Sequence, residues 1–126
     1  MPSRVIEGER MPAALGPYSQ AVGASGELVF VSGQAGIDPA SGEAPPDFEG
    51  QARNAFANLA RVVIAAGLSM ADVVKTTIYL ADAAQFGALN MLFAEFFPSA
   101  PPTRAVPVVA LPKGLLISIE AIAVRP

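Results

Sequence analysis

The clearest pattern along the chain is a stripe of apolar residues at helical spacing. It consists of Phe48, Ala52, Ala55, Phe56, Leu59, Val62, Val63 and Ala66. Steps of three and four residues place these positions on one face of an α-helix. Asp47 is a suitable N-cap for this helix, and Gly67 stands where a C-cap glycine is expected.

A similar stripe predicts a second helix and consists of Phe86, Leu89, Phe93 and Phe97. The proline-rich segment 98–102 ends that helix.

Four other segments have the apolar or alternating character of β-strands. They are LVFVSG (28–33), DVVKTTIYLAD (72–82), VPVVAL (106–111) and LLISIEAIAV (115–124). The resulting order is strands, helix, strand, helix, strands. This order predicts an α+β fold, in which a single sheet of about five or six strands carries two helices on one face.

The last predicted strand is apolar on both of its faces. One face carries Ile117, Ile119, Ala121 and Ala123, and the other carries Leu116, Ile122 and Val124. Two helices, each ~10 Å wide, cover about one face of a five-stranded sheet whose strands are ~4.8 Å apart. The chain has no third layer for the second face, so further copies of the chain are expected to cover it in a closed homo-oligomer. The alternative is a monomer with a small exposed apolar patch.

Composition narrows the possible functions. The 126 residues suit a single domain spanning 1–126, with 52% hydrophobic and 15% charged residues and a net charge of −3. An acidic chain is a poor general partner for nucleic acid or for an anionic membrane. The charged segment 1–10 is not expected to be a signal peptide, and no apolar run approaches a membrane span. The absence of cysteine and histidine argues against disulfides and metal sites, and it fits a cytoplasmic location.

Few residues remain that could carry chemistry. A serine triad is excluded because the chain has no histidine base. Lys75 could form a Schiff base only with a depressed pKa, and a solvated or paired lysine is the alternative. Arg104 follows the proline-rich turn and enters an apolar segment, where an unpaired charge is costly. Its planar guanidinium fits a carboxylate with two hydrogen bonds, either of a ligand or of an internal Asp or Glu.

Five segments in order resemble the RidA (YjgF-like) family. They are LGPYSQA, VSGQAGIDPASGE, QARNAFANLARVVIAAGLSMADVVKTTIYLAD, FGALNMLFAEFF and TRAVPVVALPKGLLISIEAIAV, which together run from Leu15 to Val124. The resemblance implies a chorismate-mutase-like fold, a homotrimer with a central barrel, and sites in the clefts between subunits. It also implies hydrolysis of enamines and imines such as 2-aminoacrylate and 2-iminopropanoate to 2-oxo acids and ammonia, without a cofactor.

The resemblance further implies roles for individual residues. Arg104 matches the arginine that binds the substrate carboxylate, and Tyr18 matches a tyrosine that lines the cleft. Ser32 and Gly33 match the Ser-Gly turn beside the ligand, and Asn90 matches an asparagine of the second helix. The bland alternatives are a core tyrosine, a turn serine and an asparagine on a helix surface.

Two departures from the family pattern concern the chemistry. Typical active members carry Glu-Ile-Glu-Ala in the last strand, whereas this chain has Ser118 at the first glutamate position and retains Glu120. A serine hydroxyl orients water but accepts no proton at neutral pH, so a weak or shifted deaminase is expected. Glu120 is expected to be structural, near Lys75. The segment after Arg104 is one residue shorter than usual, which places a carboxylate-binding backbone amide on Val106.

Three functions are therefore compared. The first is a deaminase with Arg104 and Ser118 in its active site. The second is a non-catalytic trimer that binds small 2-oxo acids or related carboxylates. The third is a ribonuclease. The net negative charge of the chain and its lack of histidine argue against this function.

Overall fold

The computed structural model describes residues 3–126. Met1 and Pro2, which belong to the predicted domain and to the charged segment 1–10, lie outside the described residues. The strands are β1 (Ser3–Val5), β2 (Val22–Ala24), β3 (Glu27–Ala35), β4 (Val73–Leu80), β5 (Thr103–Ala105) and β6 (Ile117–Arg125). The helices are α1 (Phe48–Ala65) and α2 (Phe86–Phe96). This composition confirms the α+β class.

The main sheet has four strands in the order β3-β6-β4-β5. β6, the last strand of the chain, pairs antiparallel with both β3 and β4, and β4 pairs parallel with β5. β1 and β2 form a separate antiparallel pair. The six strands thus divide between a sheet and a ribbon, where the sequence pattern predicted one sheet. Strands of three residues are too short to show the alternation on which that prediction depends.

Helix α1 begins and ends where its sequence predicts. The Asp47 carboxylate accepts a hydrogen bond from the Gly50 backbone N–H at 3.0 Å and so caps the first turn. Gly67 has a φ of +80° and follows the last turn. Its N–H donates to the Ile64 carbonyl, and the Leu68 N–H donates to the Val63 carbonyl. This Schellman motif requires the left-handed conformation that glycine adopts without a steric penalty.

The hydrophobic core lies between the helices and one face of the sheet. Ile117, Ile119, Ala121 and Ala123 of β6 are buried in it, as are most residues of the apolar stripes of both helices. Val62 of the first stripe and Phe86 of the second are exposed instead. Phe56 of α1 packs edge-on against Phe93 of α2, with the ring centres 6.4 Å apart. The opposite face of the sheet is uncovered around Phe30, whose exposed fraction is 71%. No helix within residues 3–126 is long and apolar enough to cross a membrane.

The strand predicted for residues 106–111 is wrong. Only an isolated bridge joins Val108 to Leu80, and the short β5 lies upstream of this segment. Pro107 has no N–H with which to continue a ladder, so β5 stops before it. The remaining ties to the sheet are two hydrogen bonds, from the Leu80 N–H to the Pro107 carbonyl and from the Val109 N–H to the Leu80 carbonyl.

Candidate active site

Arg104 lies in the middle of β5, at the edge of the main sheet. It is paired in register with Thr76 of β4, whose side chain is fully buried on the helix side of the sheet. Paired residues of adjacent strands point to the same face. The Arg104 side chain accordingly extends over the helix side, where it meets α2.

The guanidinium of Arg104 occupies an aromatic cage. Its carbon Cζ lies 4.9 Å from the ring centre of Tyr18, 5.0 Å from that of Phe93 and 5.2 Å from that of Phe86. Distances of this size allow favourable cation–π interactions. Nη2 donates a hydrogen bond of 2.6 Å to the Asn90 side-chain oxygen, which fixes the plane of the guanidinium. The structure therefore brings together three residues that the sequence singled out, Arg104, Tyr18 and Asn90.

Arg104 has no partner of opposite charge among residues 3–126. The salt bridges of the described residues involve Arg53 and Arg125 instead. Nη1 of Arg104 is buried and makes no hydrogen bond. Burial lowers the pKa of Arg104, although the guanidinium remains charged at neutral pH. The described residues thus do not support an internal ion pair, and an anionic ligand would satisfy the unpaired donor.

The segment Leu15–Tyr18 forms the wall of the cage. The Leu15 N–H donates to the Tyr18 hydroxyl at 3.0 Å, and the Tyr18 N–H donates to the Gly16 carbonyl at 2.9 Å. Gly16 lies so close to the guanidinium that a Cβ atom there would be 2.4 Å from Nη2 of Arg104. The adjacent Ser19 anchors the turn next to β5 by donating its hydroxyl proton to the Pro101 carbonyl at 2.5 Å.

A second group of site candidates lies between β3 and β6. Val31 pairs with Ala121 and Gln34 pairs with Ile119, so β3 contains one extra residue where Ser32 and Gly33 stand. This is a β-bulge, which ends the regular alternation and exposes both residues. Gly33 is in close contact with Ser118, because a Cβ atom on Gly33 would be 2.8 Å from the Ser118 hydroxyl oxygen. Ser32, Gly33 and Ser118 are therefore neighbours, and their predicted places beside a ligand stay predictions.

The two groups do not meet within one chain. Ser118 alternates with the buried Ile117 and Ile119, so its side chain is on the open face, whereas Arg104 is on the helix side. Ser118 pairs with Tyr79, and Arg104 pairs with Thr76, across the intervening strand β4. Two strand spacings and three residues along β4 separate their Cα atoms by about 14 Å. A site that uses both side chains therefore needs more than one copy of the chain.

Glu120 is on the same open face as Ser118 and accepts a hydrogen bond from the Tyr79 hydroxyl. This bond raises the pKa of Tyr79, because the carboxylate stabilises the protonated phenol. Glu120 and Lys75 line one groove of about 160 Å³. No salt bridge joins them among the described residues, and Lys75 donates to the Thr77 hydroxyl at 3.1 Å instead. Glu120 thus lies near Lys75, as expected, but its hydrogen-bond partner is Tyr79.

Val106 directly follows β5 and is half-buried against the core. Its predicted role in binding a carboxylate through the backbone amide stays a prediction.

Tyr79, Phe86 and Phe93 were not identified as site residues from the sequence. The alternation of β4 and β6 places Tyr79 and Glu120 on one face and could have indicated their pairing. The sequence does not indicate that Phe86 faces an arginine, because Phe86 belongs to the apolar stripe of the second helix and such residues are expected to pack in the core.

Comparisons with known proteins identify the family of this chain. The family described as Endoribonuclease L-PSP matches residues 8–125. The 2-iminobutanoate/2-iminopropanoate deaminase of Mus musculus is 44% identical over 97% of this chain and 91% of its own length. A crystal structure of RidA from the Antarctic bacterium Psychrobacter has a TM-score of 0.77 and 40% identity, covering 97% of this chain and 99% of that one. The structure of TdcF from Escherichia coli with bound serine has a TM-score of 0.76 and 42% identity, covering 98% and 99%. The chain belongs to the RidA (YjgF) family, which the Endoribonuclease L-PSP profile represents.

Proposed function

We propose that this chain is a deaminase that hydrolyses small enamine and imine acids to 2-oxo acids and ammonia, without a cofactor. The observation that carries the proposal is the Arg104 guanidinium, which is held by Asn90 and three aromatic rings and has no carboxylate partner within residues 3–126. The carboxylate of 2-iminopropanoate or of its enamine tautomer 2-aminoacrylate suits this donor. The name of the mouse relative, an iminobutanoate and iminopropanoate deaminase, supports the same substrate class.

The active form is proposed to be a homotrimer in which the open faces of three sheets form a central barrel. Phe30 and Leu28 lie on the open face, and 71% and 52% of their surfaces are exposed. Contiguous exposed apolar side chains of this kind are typical of a protein–protein interface. Arg104 and Ser118 are on opposite faces of one sheet, so a cleft between subunits is the arrangement that lets both reach one ligand. In this arrangement the cage of one subunit holds the carboxylate, and the bulge of its neighbour faces the reacting carbon.

The reaction makes modest demands on the protein. Protonation of the enamine carbon gives an iminium whose carbon is already electrophilic. Water adds to this carbon, a proton moves from oxygen to nitrogen, and ammonia leaves as the C=O bond forms. Anchoring the carboxylate and placing a water contribute several kcal/mol through orientation alone. Ser118 can orient that water through its hydroxyl group but cannot act as a base.

The test is to generate 2-iminopropanoate from alanine with an amino-acid oxidase and to follow its decay with and without the protein. We expect acceleration by the wild type and a larger acceleration by Ser118→Glu, since general acid–base help is typically worth 10²–10⁴-fold. Heat-inactivated protein is the control for non-specific catalysis. Decay at the uncatalysed rate with both proteins would contradict the deaminase proposal.

A second candidate is a trimer that binds small 2-oxo acids without turnover. It is favoured by Ser118, which supplies no base, and by the bound serine named for TdcF, a small carboxylate. It predicts saturable binding of pyruvate or 2-oxobutanoate in calorimetry, lost in Arg104→Met, with no effect on imine decay. A ribonuclease is a weaker candidate despite the family description, because the chain has a net charge of −3 and no histidine.

A further inference from the structure

Tyr79 and Glu120 form a polar pair on the open face that the proposed mechanism does not use. The Tyr79 hydroxyl donates to the Glu120 carboxylate, so this carboxylate is engaged by a phenol rather than by a cation. Both side chains are partly exposed, and Lys75 and Thr77 of β4 are on the same face. Lys75 donates to Thr77, which leaves the Tyr79–Glu120 bond as a separate unit.

The pair lies next to Ser118. Tyr79 is directly opposite Ser118 in the antiparallel register of β4 and β6. Side chains directly opposite each other have Cβ atoms about 5 Å apart. Glu120 is two residues from Ser118 on the same strand and face, about 7 Å along it. The three side chains therefore form one polar cluster, with the backbone of Gly33 on its other side.

The direction of the hydrogen bond matters for chemistry. A phenol that donates its only proton keeps lone pairs with which it can accept a hydrogen bond from a water or from the Ser118 hydroxyl. The raised pKa of Tyr79 keeps the phenol protonated at neutral pH. The pair can thus accept a proton at the phenol oxygen while it passes another to the carboxylate.

We propose that Tyr79 and Glu120 form a proton relay that acts as the general base for the water that Ser118 orients, a role that Ser118 itself cannot fill. The proposal depends on the deaminase function and on the cleft between subunits. As the water oxygen bonds to the iminium carbon, the C=N electron pair moves to nitrogen and one water proton moves to the Tyr79 oxygen. The Tyr79 proton moves to Glu120 in the same step. Glu120 then returns its proton by the same path to the amine nitrogen. The C–N bond breaks with its electron pair leaving on ammonia, an oxygen lone pair forms the C=O bond, and the hydroxyl proton passes to the departing ammonia, which leaves as ammonium.

The experiment compares the rate of 2-iminopropanoate hydrolysis by Tyr79→Phe, by Glu120→Gln and by the double variant. We expect each single variant to lower kcat at least about tenfold with KM within about twofold, since the relay acts on the reacting water and not on the carboxylate. The double variant should be no slower than the slower single variant, because both residues serve one relay. Thr77→Val is the matched control, which removes a neighbouring hydroxyl from the same face of β4 and should leave kcat unchanged.

A rescue experiment separates a relay from a merely structural pair. Ser118→Glu places a carboxylate directly beside the water, so adding Tyr79→Phe to it should reduce kcat less than about twofold. A structural role predicts that Tyr79→Phe has the same effect in both backgrounds, which would overturn the relay. An active wild type whose kcat survives Tyr79→Phe and Glu120→Gln would also overturn the relay and leave the deaminase intact. A wild type without activity would overturn both.

Discussion

The helix side of β5 and the open face of β6 differ in how far a single chain encloses the candidate site residues there. On the helix side, Arg104 is enclosed by aromatic rings and tied to Asn90, so a charged anchor is already fixed in one chain. On the open face, Ser118 and Glu120 border a sheet surface that the chain itself leaves uncovered. The first region is preorganised by the fold, whereas the fold of one chain leaves the second region open. Under the proposed function, binding and reaction would therefore have separate structural origins.

The largest effect is expected from removing the anchor. Arg104→Met keeps the length and most of the apolar contacts of the side chain but removes the charge and the hydrogen bonds. We expect kcat/KM for 2-iminopropanoate to fall about 100- to 1,000-fold, because a carboxylate would then bind without its charged donor. Steady-state kinetics measure the loss. Arg61→Met, an exposed arginine of α1 that bonds to Asn58, is the control and should keep wild-type kinetics.

Phe30→Glu tests whether the open face depends on assembly. A charge at this position of the uncovered apolar surface should dissociate the proposed trimer and lower activity about 100-fold, since burying an unpaired carboxylate is costly. Sedimentation velocity and the imine assay test the two effects together. Ile64→Glu is the matched control, because Ile64 is also exposed, at 67%, but lies on α1. Wild-type protein that sediments as a single chain would contradict the role given to this face.

A smaller effect is expected from narrowing the cage. Gly16→Ala places a methyl group 2.4 Å from Nη2 of Arg104, so the guanidinium must move from Asn90. We expect KM to rise about tenfold with little change in thermal stability, because misplacing a carboxylate anchor weakens positioning. Gly87→Ala, where a Cβ atom meets nothing within 4 Å, is the control. An unchanged KM would show that the cage tolerates displacement of the guanidinium.

The smallest effect is expected for the residue that orients the anchor. Asn90→Ala removes the 2.6 Å hydrogen bond to Arg104 but keeps the charge and the aromatic contacts. A rise in KM of about three- to tenfold is expected, because an ordinary hydrogen bond is worth about 1 kcal/mol and this one orients the anchor without touching the substrate. Kinetics of Asn90→Ala and of Asn90→Asp separate orientation from charge. The aspartate should form an ion pair with Arg104 and compete with the substrate, so its KM should exceed that of Asn90→Ala.

The sequence predicted the helices well because their signals are local. The stripe from Phe48, the Asp47 cap and Gly67 each act within a few residues, and α1 follows them. The inner face of β6 was likewise readable from its alternation. The segment at Pro107 was misread as a strand, because its apolar residues resemble those of a strand while its missing N–H stops the ladder.

The site was predictable only in part. Arg104, Tyr18 and Asn90 lie together, and Ser32 and Gly33 lie beside Ser118, while the roles that the family resemblance gives them stay predictions. The bulge that exposes Ser32 depends on the register of β3 against β6, which no local pattern in β3 specifies. The bond between Tyr79 and Glu120 joins residues 41 positions apart and depends on the same long-range pairing.

The position of β6 in the sheet has a consequence for how the protein folds. β6 lies between β3 and β4, which both precede it in the sequence, and its last residue, Arg125, bonds to Glu27 and to the Ala66 carbonyl. Until β6 joins them, β3 and β4 lack their shared partner, and the apolar segments that precede β6 have no complete sheet to cover. We expect a version truncated before Ile117 to be digested rapidly by protease, whereas the chain that includes β6 resists. Formation of the core thus depends on the pairing of a strand that is distant in sequence from β3.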